Sequence, residues 1–192
     1  AKVHHANGPV AGEYLRATSL INALILPALA AIAVLAHDIV SLLYGSAWLQ
    51  AVPAIPWLCL AYAVNSMFTL SAPALTGVGK PYAAIGPNAL LVATKVACAA
   101  WLMDGTLGTF ALAMALGQLF SVPLMVYVLK HHMGVHVKPW LRSTVSICAY
   151  TASIGLICWT TKWMLPQGWP PSLNIAAVGL VLMLTIPTFS NI

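Results

Sequence analysis

Charge is scarce in this sequence. Among 192 residues there are eight Lys+Arg and three Asp+Glu, 6% in all, where a soluble domain carries roughly 25%. A water-soluble chain with 61% hydrophobic residues and a mean hydropathy of +0.91 could not cover its own surface with polar groups. Lipid removes that requirement. Acid is scarcest of all, and no Asp or Glu falls within the long apolar runs. Those runs therefore hold no carboxylate proton relay and no paired acids for an intramembrane hydrolase. GxSxG, HExxH and the phosphate-binding glycine loop are also missing. The stretch Thr76-Gly77-Val78-Gly79-Lys80-Pro81 has the glycines of such a loop. It lacks the strand before it, and Pro81 stands where Ser or Thr would be needed, so it reads as a tight turn.

Thiol chemistry is equally thin. Cys59, Cys98, Cys148 and Cys158 lie singly in apolar runs, with no CxxC pair. They read as small polarizable packing residues, not as a disulfide framework. His131, His132 and His136 share one basic connector, and His4-His5 lie near the start. A zinc site needs a fourth ligand at tight spacing, and no Cys or acid is near them. The net charge of +5 comes from cations spread singly along the chain, which is not the pattern of a nucleic-acid-binding surface. No cofactor motif is present, and no enzymatic activity is expected.

What the chain has is oil in long pieces. A membrane-crossing helix needs about 20 mostly apolar residues, and six stretches qualify, at about 17–36, 52–75, 83–103, 107–129, 143–164 and 173–190. In lipid the backbone must satisfy its own hydrogen bonds, so these runs are expected to be helices. The ten-residue alternation of a membrane β-barrel is absent. The expected fold is an all-α membrane bundle of about six transmembrane helices. Pro27, Pro73, Pro87, Pro123 and Pro187 fall inside the runs, each expected to remove a helix hydrogen bond. Trp57, Trp101, Trp140, Trp159, Trp163 and Trp169 sit towards the ends of runs, where indoles suit the headgroup layer.

The connectors alternate in charge. Lys2, Arg16, Lys80, Lys130, Lys138 and Arg142 fall on one side of the alternating map, and Lys162 falls on the other with Asp38 and Asp104. By the positive-inside rule the first side is cytoplasmic. Between the first two runs, Asp38 is placed to cap a short helix and Gly45 to end it. Tyr44 and Trp48 suit the outer interface. The chain opens on Ala1 without Met, and its last apolar run reaches almost to Ile192. Both ends are expected to be cuts in a longer chain.

Lys95 stands apart, inside the third run. A cation there costs about 2.5–3.5 kcal/mol on insertion scales, so it normally faces a bundle interior or water. Asn88, seven residues earlier, shares its helix face. Two placements fit: a cationic contact for an anionic substrate in a central cavity, or a side chain snorkelling towards the outer headgroups. Asn65 and Ser66 lie midway along the second run and Gln118 midway along the fourth. Such amides hydrogen-bond across helices or line a cavity. The candidate substrate-binding set is Lys95, Asn88, Asn65 and Gln118.

Several residues carry a resemblance. Tyr14-Leu15-Arg16-Ala17, the first run, Asp38-Ile39-Val40-Ser41-Leu42-Leu43-Tyr44-Gly45, then Trp48, Ala51 and Pro53, and after the second run Leu75-Thr76-Gly77-Val78-Gly79-Lys80-Pro81, together resemble the polysaccharide (O-antigen) flippases of the multidrug/oligosaccharidyl-lipid/polysaccharide exporter superfamily. The alignment is best with the carboxyl-terminal of that family's two lobes. The resemblance implies a cytoplasmic connector at 1–16, a four-helix part of that lobe at 17–129, a basic cytoplasmic loop at 130–142 and two additional helices at 143–192. It implies alternating-access export of a lipid-linked oligosaccharide across a bacterial inner membrane, with Lys95 meeting the lipid pyrophosphate. The partners implied are that lipid, the surrounding membrane lipids and the absent amino-terminal lobe. A drug or cation antiporter of the same superfamily, a membrane-surface enzyme and a non-transporting scaffold are the competing readings.

Overall fold

The computed structural model describes residues 7–102, 104–164 and 171–185. Lys2, His4, His5, Trp169, Pro187 and the last part of the expected 173–190 span lie outside the described residues. Within them the chain is an all-α bundle. Its helices are α1 (Asn7–Val34), α2 (Ala36–Leu43), α3 (Ile55–Ser66), α4 (Ser71–Gly77), α5 (Ile85–Leu102), α6 (Leu107–Met133), α7 (Val137–Met164) and α8 (Pro171–Thr185). Short 3-10 stretches at Ser46–Ala54 and Pro81–Ala84 lead into α3 and α5. Among the described residues, five segments are long and apolar enough to cross a membrane: Val10–Val34, Ser46–Gly77, Pro81–Leu102, Leu107–Met133 and Trp140–Trp163. The sixth expected span is described as far as Thr185, in the apolar helix α8.

Cross-helix contacts fix the directions. Ser19 Oγ lies 2.6 Å from Ser143 Oγ, and Lys162 Nζ donates to the Val34 carbonyl at 3.3 Å. Two contacts with nearly the same sequence offset mean that α1 and α7 run parallel. Gln118 Nε2 donates to Asn65 Oδ1 at 3.5 Å, midway along α6 and near the end of α3. Lys80 Nζ lies 3.3 Å from His132 Nδ1. The connector at 80 and the end of α6 are therefore at the same end of the bundle, as the alternating charge map requires. Asp38, Lys162 and Asn174 meet at the opposite end.

Two apolar clusters hold the two ends. At the basic end, Tyr14, Phe68, Leu75, Val128, Leu129 and Met133 are buried together. At the other, Ala31, Leu35, Ile154, Cys158 and Val178 do the same. Helix α6 sits between α3 and α5, and its buried Ala111, Ala113, Ala115 and Gly117 are small enough to bring backbones close, the usual device where lipid gives no hydrophobic drive between helices.

Helix ends follow local chemistry. Gly45, at φ 79°, follows the end of α2, as expected. After α4 the N–H of Lys80 bonds the Leu75 carbonyl and that of Gly79, at φ 77°, bonds the Thr76 carbonyl. This is the glycine-terminated double bond of a Schellman motif, so the tight turn at 76–81 is present.

The segment read as a connector at 1–16 is helical where it is described, from Asn7 through Glu13. Three expectations are revised. The second span is not one rod. It breaks at 67–70, where N–H groups of Phe68, Thr69 and Ser71 bond carbonyls three residues back and the hydroxyls of Ser66 and Ser71 do likewise. Tyr14, buried on α1, donates to the Met67 carbonyl there at 3.5 Å. Pro73 and Pro87 fall in the first turns of α4 and α5, where N–H groups have no helical partner to lose; Pro27 and Pro123 are the interior prolines. Finally, Asp38 does not cap α2. The residue before α2 is Leu35 and no side chain caps it; Asp38 turns inward to an ion pair.

Candidate functional site

The four predicted residues occupy two neighbouring helix pairs. Lys95 and Asn88 are both on α5, which packs chiefly on α6. Asn88 is exposed and Lys95 half-buried. Asn65 is exposed on α3, and Gln118 is buried on α6. Gln118 and Asn65 are joined by the hydrogen bond given above, which bridges α3 and α6. No described hydrogen bond links this amide pair to Lys95 or Asn88.

Lys95 sits where the backbones of α5 and α6 are in close contact. A methyl group placed on Gly117 would lie 2.7 Å from the Lys95 Cα and 2.8 Å from its Cγ. The backbone of α6 thus runs directly against the lysine stem. One residue earlier, Thr94 Oγ1 donates to the Gly117 carbonyl at 2.9 Å and also to the Leu90 carbonyl on its own helix. Thr94 and Gly117 pin the crossing and set the height of Lys95. Sequence reading missed both. The available signal was a lone glycine inside an apolar run, which in a membrane helix marks close approach.

Beside this crossing lies an open groove of about 720 Å³. Its walls are Val92, Val96, Ala99, Phe110 and Met114, and Lys95 is the charged group that lines it. Among the described residues no carboxylate pairs with Lys95; the ion pair present is Lys162 Nζ to Asp38 Oδ2 at 2.7 Å. An ammonium on an apolar wall can do one thing well: meet an anionic group whose remainder is oily.

The opposite-end cluster was also not foreseen. Asp38 is buried, held by Lys162 from α7 and by Asn174 from α8, whose Nδ2 donates to Asp38 Oδ1 at 3.4 Å. It joins three helices distant in sequence. Asp104 lies at the same end as an expected outer-side acid, and its Oδ1 accepts from the Thr106 N–H at 3.0 Å and from the Thr109 hydroxyl. These bonds hold its carboxyl below the usual carboxylate range, the Thr109 hydroxyl contributing most. Thr106 itself caps α6, accepting from the Thr109 N–H at 3.3 Å.

Comparison with known proteins gives one family. Residues 1–53 match the model of a family described as polysaccharide biosynthesis protein. No curated protein and no solved structure matches the chain. The matched stretch covers α1, α2 and the 3-10 stretch after it, including Asp38 and Gly45. It ends before the groove that Lys95 lines.

Proposed function

We propose that this chain takes part in exporting lipid-linked oligosaccharide precursors of polysaccharide across a bacterial inner membrane, by alternating access. The reading is supported by the family match over the first helices and by an all-α bundle with spans enough for a multi-pass membrane protein. The observation that carries it is Lys95: a half-buried cation without a carboxylate partner among the described residues, on the wall of an apolar groove. Leaving a lysine at that depth costs about 2.5–3.5 kcal/mol. A phosphate or pyrophosphate on a lipid carrier offsets that cost when it arrives, and the apolar walls accept what is attached to it. Asn88, two turns away on the same helix, offers hydrogen bonds to a sugar. The partner lobe would close the open side of the groove and rock against this one, as in other repeat-built transporters. No bond is made or broken, so the chain works without catalytic residues or a cofactor. An antiporter would need a carboxylate free to exchange an ion, and the buried Asp38 is tied to Lys162.

The test is export of glycan by cells carrying Lys95→Ala and Lys95→Arg in the full-length protein, with membrane levels matched. Loss of the charge is expected to lower export about tenfold or more, the scale of a charge-assisted contact of about 1.5–3 kcal/mol. Arginine is expected to retain most of it. Export by the alanine variant equal to that of the parent removes Lys95 from the mechanism.

A further inference from the structure

The two ends of the bundle are unequal in charge. At the end holding the 76–81 turn, Arg16, Lys80, Lys130, Lys138 and Arg142 are all exposed, and Glu13 is the acid among them. At the other end Lys162 is paired with Asp38, and Asp104 is held by Thr106 and Thr109. The basic end is not neutralised from within: among the described residues no ion pair forms there. The partner of Lys80 is instead a ring nitrogen, His132 Nδ1 at 3.3 Å.

That pairing is informative. Lys80 comes from the turn after α4 and His132 from the last turn of α6, 52 residues apart. The Lys80 ammonium donates to Nδ1 of a neutral ring, which puts the ring proton on Nε2 and leaves that N–H for a third group. The carbonyl end of α6 supplies roughly half a negative charge, which falls short of the five cations around it. Aromatic rings mark the depth: Tyr82 is 81% exposed beside Lys80 and Tyr127 is 61% exposed on α6, with Tyr127 stacked on His131 at 5.9 Å. Exposed tyrosines with cations at a helix-bundle end are the signature of the headgroup layer. Basic pockets between membrane helices bind anionic headgroups.

We infer that Lys80 and His132 form a docking site for the phosphate of an anionic phospholipid, drawn from the leaflet on the basic side of the bundle. Lys80 supplies the charge and His132 a directed hydrogen bond. Lys130, Lys138 and Arg142 supply the field that brings the headgroup there. This is independent of what Lys95 does, since it uses another end of the molecule.

The experiment is retention of lipid by the purified full chain, read by native mass spectrometry after exchange into detergent with equal phosphatidylglycerol and phosphatidylcholine. Preferential retention of phosphatidylglycerol is expected. Lys80→Gln is expected to reduce that preference about tenfold or more, the scale of a hydrogen bond to a charged group, against about fivefold for one cation of a diffuse field. His132→Ala, which removes no formal charge at neutral pH, is expected to reduce it measurably too. The control is Lys138→Gln, which removes the same charge from the same end but away from the pair. If it reduces the preference as much as Lys80→Gln, or if His132→Ala has no effect, the site is overturned in favour of a diffuse field. If millimolar inorganic phosphate strips the phosphatidylglycerol, the ligand is free phosphate and the lipid assignment fails. Helicity by circular dichroism, unchanged in each variant, shows that the loss is not unfolding.

Discussion

Lysine appears in three different roles in this chain, and their partners separate them. Lys95 has an apolar wall, Lys80 a histidine, and Lys162 a buried carboxylate. The third is the one whose removal should be felt in stability. Lys162→Met leaves Asp38, whose side chain is 9% exposed, with Asn174 alone. Breaking a fully buried pair costs about 3–5 kcal/mol; Lys162 is 31% exposed, and water reduces that to about 1–3 kcal/mol. The double variant Asp38→Asn with Lys162→Met is expected to recover most of the loss, because no lone charge remains. Thermal unfolding in detergent, arranged as a double-mutant cycle, measures the coupling. Additive losses would show that the two side chains do not act as a pair. The sequence placed Asp38 and Lys162 on one side of the membrane but could not join them: 124 positions separate them, and only the parallel packing of α1 with α7 brings them into contact.

At the scale of elements, the α5–α6 crossing is the most tightly specified. Gly117→Ala would ordinarily favour a helix by about 1 kcal/mol. Here the new methyl meets the Lys95 backbone, not a flexible side-chain end, so the helices must separate. Overpacking of this kind costs about 1–3 kcal/mol, and the net effect is expected to be destabilising. Thermal unfolding checks the sign, and a stabilised variant would show that the helices are not in backbone contact. The start of α6 gives a second test. Asp104 has its carboxyl pKa held low in the folded chain, so its contribution is complete above the unfolded value of about 3.9. It is lost as pH falls through the lower folded value. Amide exchange at Thr106 and Thr109 is expected to quicken as pH drops below about 4 relative to the intrinsic rate, and Asp104→Asn is expected to flatten that response. What hydropathy could read was the set of apolar runs and the turns whose glycines need positive φ, Gly45 and Gly79. The break at 67–70 was invisible to it. Met67, Phe68 and Leu70 are as oily as a continuous helix, and the shift to three-residue bonding depends on serine hydroxyls and on Tyr14 reaching over from another helix.

For the whole molecule, the charge map and the geometry are independent, and they agree. Lys80 touching His132 puts two basic connectors at one end; Asp38 touching Lys162 and Asn174 puts the other connectors opposite. A single cysteine introduced at Tyr82 or His136, both exposed, in a background with Cys59, Cys98, Cys148 and Cys158 replaced, is therefore expected to be shielded from an impermeant thiol reagent added outside intact cells. One at the exposed Ser46 is expected to react. Reversal of that pattern would invert the bundle and with it the direction of any export. The candidate site was legible in part: Lys95 is conspicuous in an apolar run, but the groove it lines and the approach of Gly117 to its stem arise from the packing of α5 on α6, which hydropathy does not encode.

Pro27 lies on α1 between the levels of Tyr14 and Ala31, the residues by which that helix enters the two end clusters. It has no N–H to offer the Ala23 carbonyl, yet α1 is helical throughout Asn7–Val34, and Pro27 with its neighbour Leu26 is buried. The gap in the helix ladder is thus enclosed by protein and kept from the oil, the setting in which a membrane helix tolerates a proline.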